Sequence, residues 1–318
     1  MNAKEMNIIY MGTPAFAVEP LRVLVKNNYN ISAVVTSTDK PAGRGCKIKF
    51  SEVKEFALEN NIPILQPSNL KDNNVVNQLK NFKPDIFIVV AFRMLPENVW
   101  KLPKHGTFNL HASLLPDYRG AAPINHAIIN GEKTTGLTTF FIDKEIDTGK
   151  IIFQEEVSIE DHDNAGSLHD KLMIKGSDLI IKTIQAISTG TVKTVSQNKM
   201  LKSEIKLAAK LTKEFCKIDL NQSCVKVHNF IRGLSPYPAA WCLLNGIADN
   251  MKIFKSNYKI DKHEHKTGKI ISDNKNYIKI AVSDGYIFLE ELQIAGKKRM
   301  TTREFLNGYH FSENAYCS

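Results

Sequence analysis

The stretch DIFIVVAF, residues 85–92, is a short apolar run, and TFNLH, residues 107–111, follows it as a second strand-like segment that ends on a histidine. Working outward, MNIIYMG (6–12), ISAVVTS (31–37) and IPIL (62–65) are runs of the same kind. Between them lie stretches of helical period, AFAVEPLRVLVKNN and SEVKEFALENN. Strand-length apolar runs that alternate with amphipathic helical segments predict βαβ units and a Rossmann-like, mostly parallel α/β sheet. TTGLTTFFID (134–143) and GKIIFQEEVSI (149–159) read as a later pair of strands, and DNAGSLHDKLMIKGSDLIIKTIQAI as a closing helix capped by Asp163 or Asn164. This α/β domain is expected to span residues 1–190.

A polar, lysine-rich stretch without periodicity, GTVKTVSQNKMLKSEIK, predicts a basic linker over 191–207. Beyond it AAKLTKEFCKID and SCVKVHNFIRGL read as short helices. AAWCLLNG, NMKIFKSNYKI, TGKIISD, YIKIAVSDG and YIFLEELQIAG then read as short strands. Short strands punctuated by Gly, Asp and Asn predict a small β-barrel of the oligonucleotide-binding (OB) type over 208–318.

At 318 residues the chain has room for two ordinary cores, and 43% hydrophobic with 24% charged residues describes a globular protein. No apolar run approaches the roughly 18 to 20 residues that cross a bilayer. The start, MNAKEMNIIYMG, has no signal-peptide pattern, so the expected place is the cytoplasm. Five cysteines, odd in number and scattered without a C-x-x-C, argue against a disulfide framework and a zinc site. With no long exposed apolar or heptad stretch, a monomer is expected. Charge divides unevenly: residues 1–190 hold 21 Lys+Arg against 21 Asp+Glu, whereas 191–318 hold 21 against 12. A neutral half joined to a basic one points to a polyanionic partner for the second.

The first βα turn, Gly12-Thr13-Pro14-Ala15-Phe16-Ala17, lacks G-x-G-x-x-G, so a nicotinamide dinucleotide does not follow from the fold class. Reactive groups in open α/β sheets gather at the carboxyl ends of strands, where Asn109 and His111 stand. The two-residue period of a strand puts both side chains on one face. The plainer alternative is that they satisfy local backbone. A turn between two later strands, Asp143-Lys144-Glu145-Ile146-Asp147-Thr148-Gly149, offers carboxylates to complete an amide, imidazole and carboxylate set. Such a set transfers protons and stabilises an oxyanion without a nucleophile of its own.

NLHASLLPDYRGAAPI (109–124), with DTG at 147–149, resembles the formyltransferase family that uses 10-formyltetrahydrofolate. IIYMGTPAFAV (8–18), DKPAGRG (39–45), IRGLSPYPAAW (231–241) and LEELQIAGKKRM (289–300) extend the resemblance over nearly the whole chain. The resemblance implies that Asn109, His111 and Asp147 are catalytic. It also implies that the pterin lies near Ser113, Leu114, Leu115 and Pro116 and the 85–96 segment with Phe92, Arg93 and Met94. Arg93 stands near a position where the family commonly has glycine. The implied acceptor is the α-amino group of methionine esterified to initiator tRNA, for translation initiation, with no metal. The loop carrying Lys40, Arg44, Lys47 and Lys49 would enter the acceptor stem, with Arg44 its main contact. Lys297, Lys298 and Arg299 are expected to meet phosphates, together with Lys252, Lys255, Lys259 and the linker lysines 193, 199, 202 and 206. Tyr237 and Trp241 read as packing residues, Glu145 as a surface residue, and His263 and His265 as a solvated turn.

Other readings stay open at this point. They are a formyltransferase for a ribonucleotide amine or an amino sugar, and a non-enzymatic RNA-binding protein on a degenerate catalytic domain. The basic loop and basic second half argue against the first, the Asn109/His111/Asp147 set against the second.

Overall fold

All five residues of Ile86–Val90 are buried, as are all five of Ile8–Gly12, and the two runs pair in parallel from Ile8↔Ile86 to Gly12↔Val90. A strand covered on both faces has no solvent side, which is why it reads as a continuous apolar run. The computed structural model describes residues 2–42, 47–200, 204–245 and 250–318. Its contacts gather the chain into two compact units. One holds Met1–Gly120, Thr135–Ser158 and His169–Leu207; the other holds Ala121–Thr134, Ile159–Leu168 and Ala208–Ser318.

The first unit is built on a seven-stranded sheet: β1 (Ile8–Gly12), β2 (Ile31–Val35), β3 (Ile64–Leu65), β4 (Ile86–Val90), β5 (Thr107–His111), β6 (Thr134–Phe141) and β7 (Ile151–Ser158). Their order is β7-β6-β5-β4-β1-β2-β3. The β1–β2, β2–β3, β1–β4 and β4–β5 pairs are parallel, and β5–β6 is antiparallel. The order grows one way from β1 to β3 and the other way from β4. That is the topological switch at which α/β sheets open a ligand crevice.

The helices are α1 (Val18–Lys26), α2 (Glu52–Glu59), α3 (Asn73–Asn81), α4 (Glu97–Trp100), α5 (Pro123–Ile129), α6 (Ala165–Thr189), α7 (Cys224–Leu234) and α8 (Thr302–Leu306). Ser51 and Asp72 cap α2 and α3, accepting from Lys54 N and Asn74 N. Of the two expected caps on α6, Asn164 takes the role: its Oδ1 accepts from Ser167 N at 3.0 Å, and Ser167 Oγ accepts from Asn164 N at 3.1 Å. The turn after β1 is filled by the protein itself. Phe16 is buried, and Tyr10 donates its hydroxyl proton to the Ala17 carbonyl at 2.6 Å.

In the second unit β8 (Ala240–Leu243), β9 (Asn250–Ile260), β10 (Ile270–Ser272), β11 (Ile278–Val282) and β12 (Gly285–Ile294) form an antiparallel sheet. The order is β8-β9-β12-β11-β10, with β13 (Met300–Thr301) beside β12. The last residues join its two edges. Cys317 bridges Leu244 after β8, and Tyr316 bridges Lys269 before β10. Glycine is required at Gly268, whose φ is +92° and whose absent Cβ would lie 2.2 Å from the Cys317 carbonyl oxygen. Cys216, Cys224, Cys242 and Cys317 are free and buried, acting as small apolar residues. Burial, with Asp284 alongside, pushes the Cys224 thiol up to about 12. AAKLTKEFCKID is not a helix: after a short bridge at Leu207–Ala208 it runs as turns. No described helix is long and apolar enough to cross a membrane.

Candidate active site

Position on the sheet sorts the side chains of β5. A Cβ at Gly176 would come within 2.7 Å of Leu110 Cδ2, so helix α6 lies tightly on Leu110 and takes up that face of the strand. Asn109 and His111 alternate with Leu110 and therefore project from the opposite face. Asn109 is half-buried, and among the described residues nothing engages its carboxamide in a hydrogen bond.

His111 is buried and held by a hydrogen bond at one ring nitrogen. Its Nε2 lies 2.9 Å from the Tyr118 carbonyl oxygen, which can only accept, so Nε2 carries a proton. Its Nδ1 faces Oδ2 of Asp147 at 3.9 Å. Phe140 meets the ring edge-on, with centroids 6.5 Å apart. Nδ1 is thereby the ring nitrogen left on the carboxylate side.

The loop 113–120 explains the odd run SLLPDYRG. Ser113 donates its hydroxyl proton to the Asp117 carbonyl at 2.7 Å, which curls the loop back. Its far end then offers two backbone groups: the Tyr118 carbonyl to His111 and the Gly120 N–H to Asp147 Oδ2 at 3.0 Å. One loop fixes two of the three polar side chains.

Asp147 sits in a tight turn with φ at +56°, a conformation that Asp tolerates better than most residues. Thr148 donates to Asp143 Oδ1 at 2.7 Å, and the Glu145 N–H to the same oxygen at 3.2 Å. The absent Cβ of Gly149 would lie 1.7 Å from the Phe141 carbonyl oxygen, so only glycine brings the turn this close to β6. Gln197 closes the turn from beneath. Its Nε2 donates to the carbonyls of Asp147 and Gly149, and its Oε1 accepts from Arg119. Glu145 is exposed, as expected.

The residues assigned to the pterin divide. Ser113 and Leu115 are buried and used internally: the Ser113 carbonyl accepts from Thr138 Oγ1 at 2.6 Å, and the Leu115 carbonyl from Gln154 at 2.8 Å. Leu114 and Pro116 flank them. Phe92 packs against the sheet's core, while Met94 is 66% exposed. Arg93 turns to backbone, donating to the carbonyls of Ser68 and Pro67.

Of the expected nucleic-acid contacts, Lys40 and Lys49 are exposed and oppose each other across a short hairpin. Its base is braced by Lys54, which donates to Asp39 at 2.5 Å and Gln66 at 2.9 Å, and the ammonium holds the Asp39 carboxyl below its usual range. Arg44, the Lys47 side chain and Lys202 lie outside the described residues. In the second unit Lys297 and Lys298 are exposed, whereas Arg299 pairs with Glu291 and stacks 4.5 Å from the Phe254 ring centroid. Lys255 pairs with Glu290 at 2.9 Å and Lys259 with Asp261 at 2.9 Å. Trp241 is half-buried against the core, its Nε1 donating to Lys213 O. Tyr237 is not a packing residue: it is 82% exposed. Nor is His263 part of a solvated turn. It packs against Tyr286, ring centroids 4.7 Å apart and planes tilted by 37°, and donates to the carbonyls of Val282 and Gly285, because the β11–β12 turn passes beside it.

Comparison with known proteins adds independent findings. The family described as formyl transferase matches residues 6–184, and its C-terminal domain matches residues 210–310. The chain is 54% identical over 317 residues to a protein of Bacteroides thetaiotaomicron named methionyl-tRNA formyltransferase, covering 98% of each chain. A protein of the same name from Flavobacterium johnsoniae is 54% identical over 314 residues, covering 98% of this chain and 99% of that one. Among solved structures, a sugar 3N-formyl transferase, WlaRD, aligns with a TM-score of 0.64 at 24% identity, over 92% of this chain and 99% of its own. HypX of Aquifex aeolicus, in complex with tetrahydrofolic acid, aligns at 0.62 and 16% identity, over 95% of this chain and 47% of its own. These two likenesses concern the fold.

Proposed function

The chain belongs to the formyl transferase family, and on that premise we propose that it moves the formyl group of 10-formyltetrahydrofolate to the α-amino group of methionyl initiator tRNA, giving N-formylmethionyl-tRNA for translation initiation. The observation that carries the reading is the shared face at the end of β5. A carboxamide without a hydrogen-bonding partner among the described residues stands beside an imidazole whose reactive nitrogen faces a carboxylate.

The folate supplies an activated formyl carbon. As the amine attacks, charge gathers on the formyl oxygen, and in this reading the Asn109 N–H groups donate to it. His111 takes the amine's proton through Nδ1, since Nε2 is committed to Tyr118, and returns it to N10 of the folate as the N10–formyl bond breaks and tetrahydrofolate leaves. Asp147, whose Oδ2 faces Nδ1 at 3.9 Å, takes part in moving that proton. The acceptor brings the nucleophile, so the protein needs none.

In this reading Phe92, Arg93, Met94 and the Ser113–Pro116 run border the pterin. The internal hydrogen bonds of Ser113 and Leu115, and the packing of Leu114 on Gly136 of β6, give this run a wall's role. Lys40, Arg44, Lys47 and Lys49 engage the acceptor stem, and Lys297, Lys298 and Arg299 meet phosphates. Residues 1–190 carry catalysis, 191–207 the basic link and 208–318 an OB-like tRNA-binding domain, a type that the joined edges of the second sheet favour. The protein works as a monomer in the cytoplasm. The test is an acceptor comparison with 10-formyltetrahydrofolate. Initiator methionyl-tRNA is expected to be formylated well above elongator methionyl-tRNA, a glycinamide ribonucleotide or an amino-sugar nucleotide. Preference for either small amine overturns the assignment.

A further inference from the structure

We propose that Gln197 is a positioning residue for the catalytic carboxylate: buried in the polar stretch after α6, it clamps the backbone of the Asp147 turn and so fixes where Asp147 points. The inference rests on the formyl-transfer reading of that site. Gln197 is 1% exposed, and its carboxamide is fully used. Nε2 donates to the Asp147 carbonyl at 2.8 Å and the Gly149 carbonyl at 2.9 Å. Oε1 accepts from Arg119 Nε at 3.0 Å and Nη2 at 2.6 Å. A guanidinium only donates and a carbonyl only accepts, so the partners themselves set the orientation of the amide.

The turn needs such a clamp. Asp147 holds a left-handed φ of +56°, which an unsupported non-glycine residue seldom keeps. Its Oδ2 takes the Gly120 N–H, and the preceding residue, Arg119, takes Gln197. Two successive residues of one loop thus grip the turn, one at the carboxylate and one through Gln197 at the backbone, while the Tyr118 carbonyl of the same loop holds His111. Only a neutral primary amide fits between these partners. Glutamate would set a carboxylate against two carbonyl oxygens, and an apolar side chain would leave buried polar groups bare.

The test is Gln197→Glu, which keeps the size and the Arg119 contact but removes both donors to the turn. Turnover is expected to fall about 10- to 100-fold with KM for the folate changed by less than about twofold. In an Asp147→Asn background the same substitution is expected to cost less than about twofold, because a misplaced side chain without its charge has little left to lose. Hydrogen exchange across 143–149 is expected to quicken in the single variant. An equal loss in both backgrounds, or unchanged exchange, overturns the proposal. Should Gln197→Glu not fold, Gln197→Met, similar in length and uncharged, is read by the same criteria. Exchange does not depend on turnover, so a wild-type chain that fails to formylate sinks the functional reading while the clamp is still measured.

Discussion

The Nδ1 atom of His111 faces Oδ2 of Asp147 at 3.9 Å, while the opposite ring nitrogen is spent on the Tyr118 carbonyl. The separation is longer than a hydrogen bond, so the two groups face each other without being joined. Asp147→Asn keeps the shape and an acceptor for the Gly120 N–H but deletes the carboxylate opposite Nδ1. Turnover is expected to fall on the order of 10²-fold, with the melting temperature within a few degrees of the parent. Steady-state kinetics and thermal melting check both, and full turnover would show that the carboxylate is a bystander.

Gly149→Ala tests the packing that brings the turn to the sheet. A Cβ placed 1.7 Å from the Phe141 carbonyl oxygen forces the turn away. Loss of activity and destabilisation by about 2 kcal/mol or more are expected, as for other steric strain in a packed site. Gly308→Ala, with open space around the new methyl, is the control and is expected to melt close to the parent.

Nucleic-acid binding should weaken steeply with salt, because each neutralised phosphate releases counterion. Arg44→Ala is expected to impair formylation of tRNA far more than folate affinity. Binding isotherms for the two ligands over a salt series check this, and an equal loss of both speaks against the loop's role.

His228 gives the second unit an acid sensitivity. It hydrogen-bonds Ser256 and meets the Tyr258 ring at a tilt, with Arg232, Asp161 and Glu290 around it. Burial first, and the Arg232 guanidinium second, hold its pKa below the ordinary value. The unfolded chain therefore binds a proton sooner as pH falls. Stability from this group is complete above about pH 6.5 and is lost as pH drops from there through the folded pKa. His228→Gln is expected to flatten the fall in melting temperature between about pH 7 and pH 5. An unchanged slope assigns that fall to other groups.

The α/β sheet was legible because buried parallel strands such as Ile86–Val90 show as bare apolar runs. Asn109 and His111 were legible as a pair from the strand period. Which carboxylate of the 143–149 turn completes the set was not, since reach depends on a left-handed backbone at Asp147 and on the close approach of Gly149. Gln197 left no signal: a lone glutamine in a polar stretch looks solvated until the fold buries it. Tyr237 failed for the opposite reason, as flanking prolines made an exposed aromatic look like core. The internal use of Ser113 and Leu115 was not legible either, because it depends on partners, Asp117, Thr138 and Gln154, that only the fold brings to them.

The most direct measurement is single-turnover formyl transfer from 10-formyltetrahydrofolate to methionyl initiator tRNA by the parent, Asn109→Ala and His111→Ala. The parent is expected to form N-formylmethionine, and each variant to be about 10²- to 10³-fold slower, the usual loss for one oxyanion donor, with its fold intact. Near-parental rates in both variants, or no product from the parent, would contradict the account.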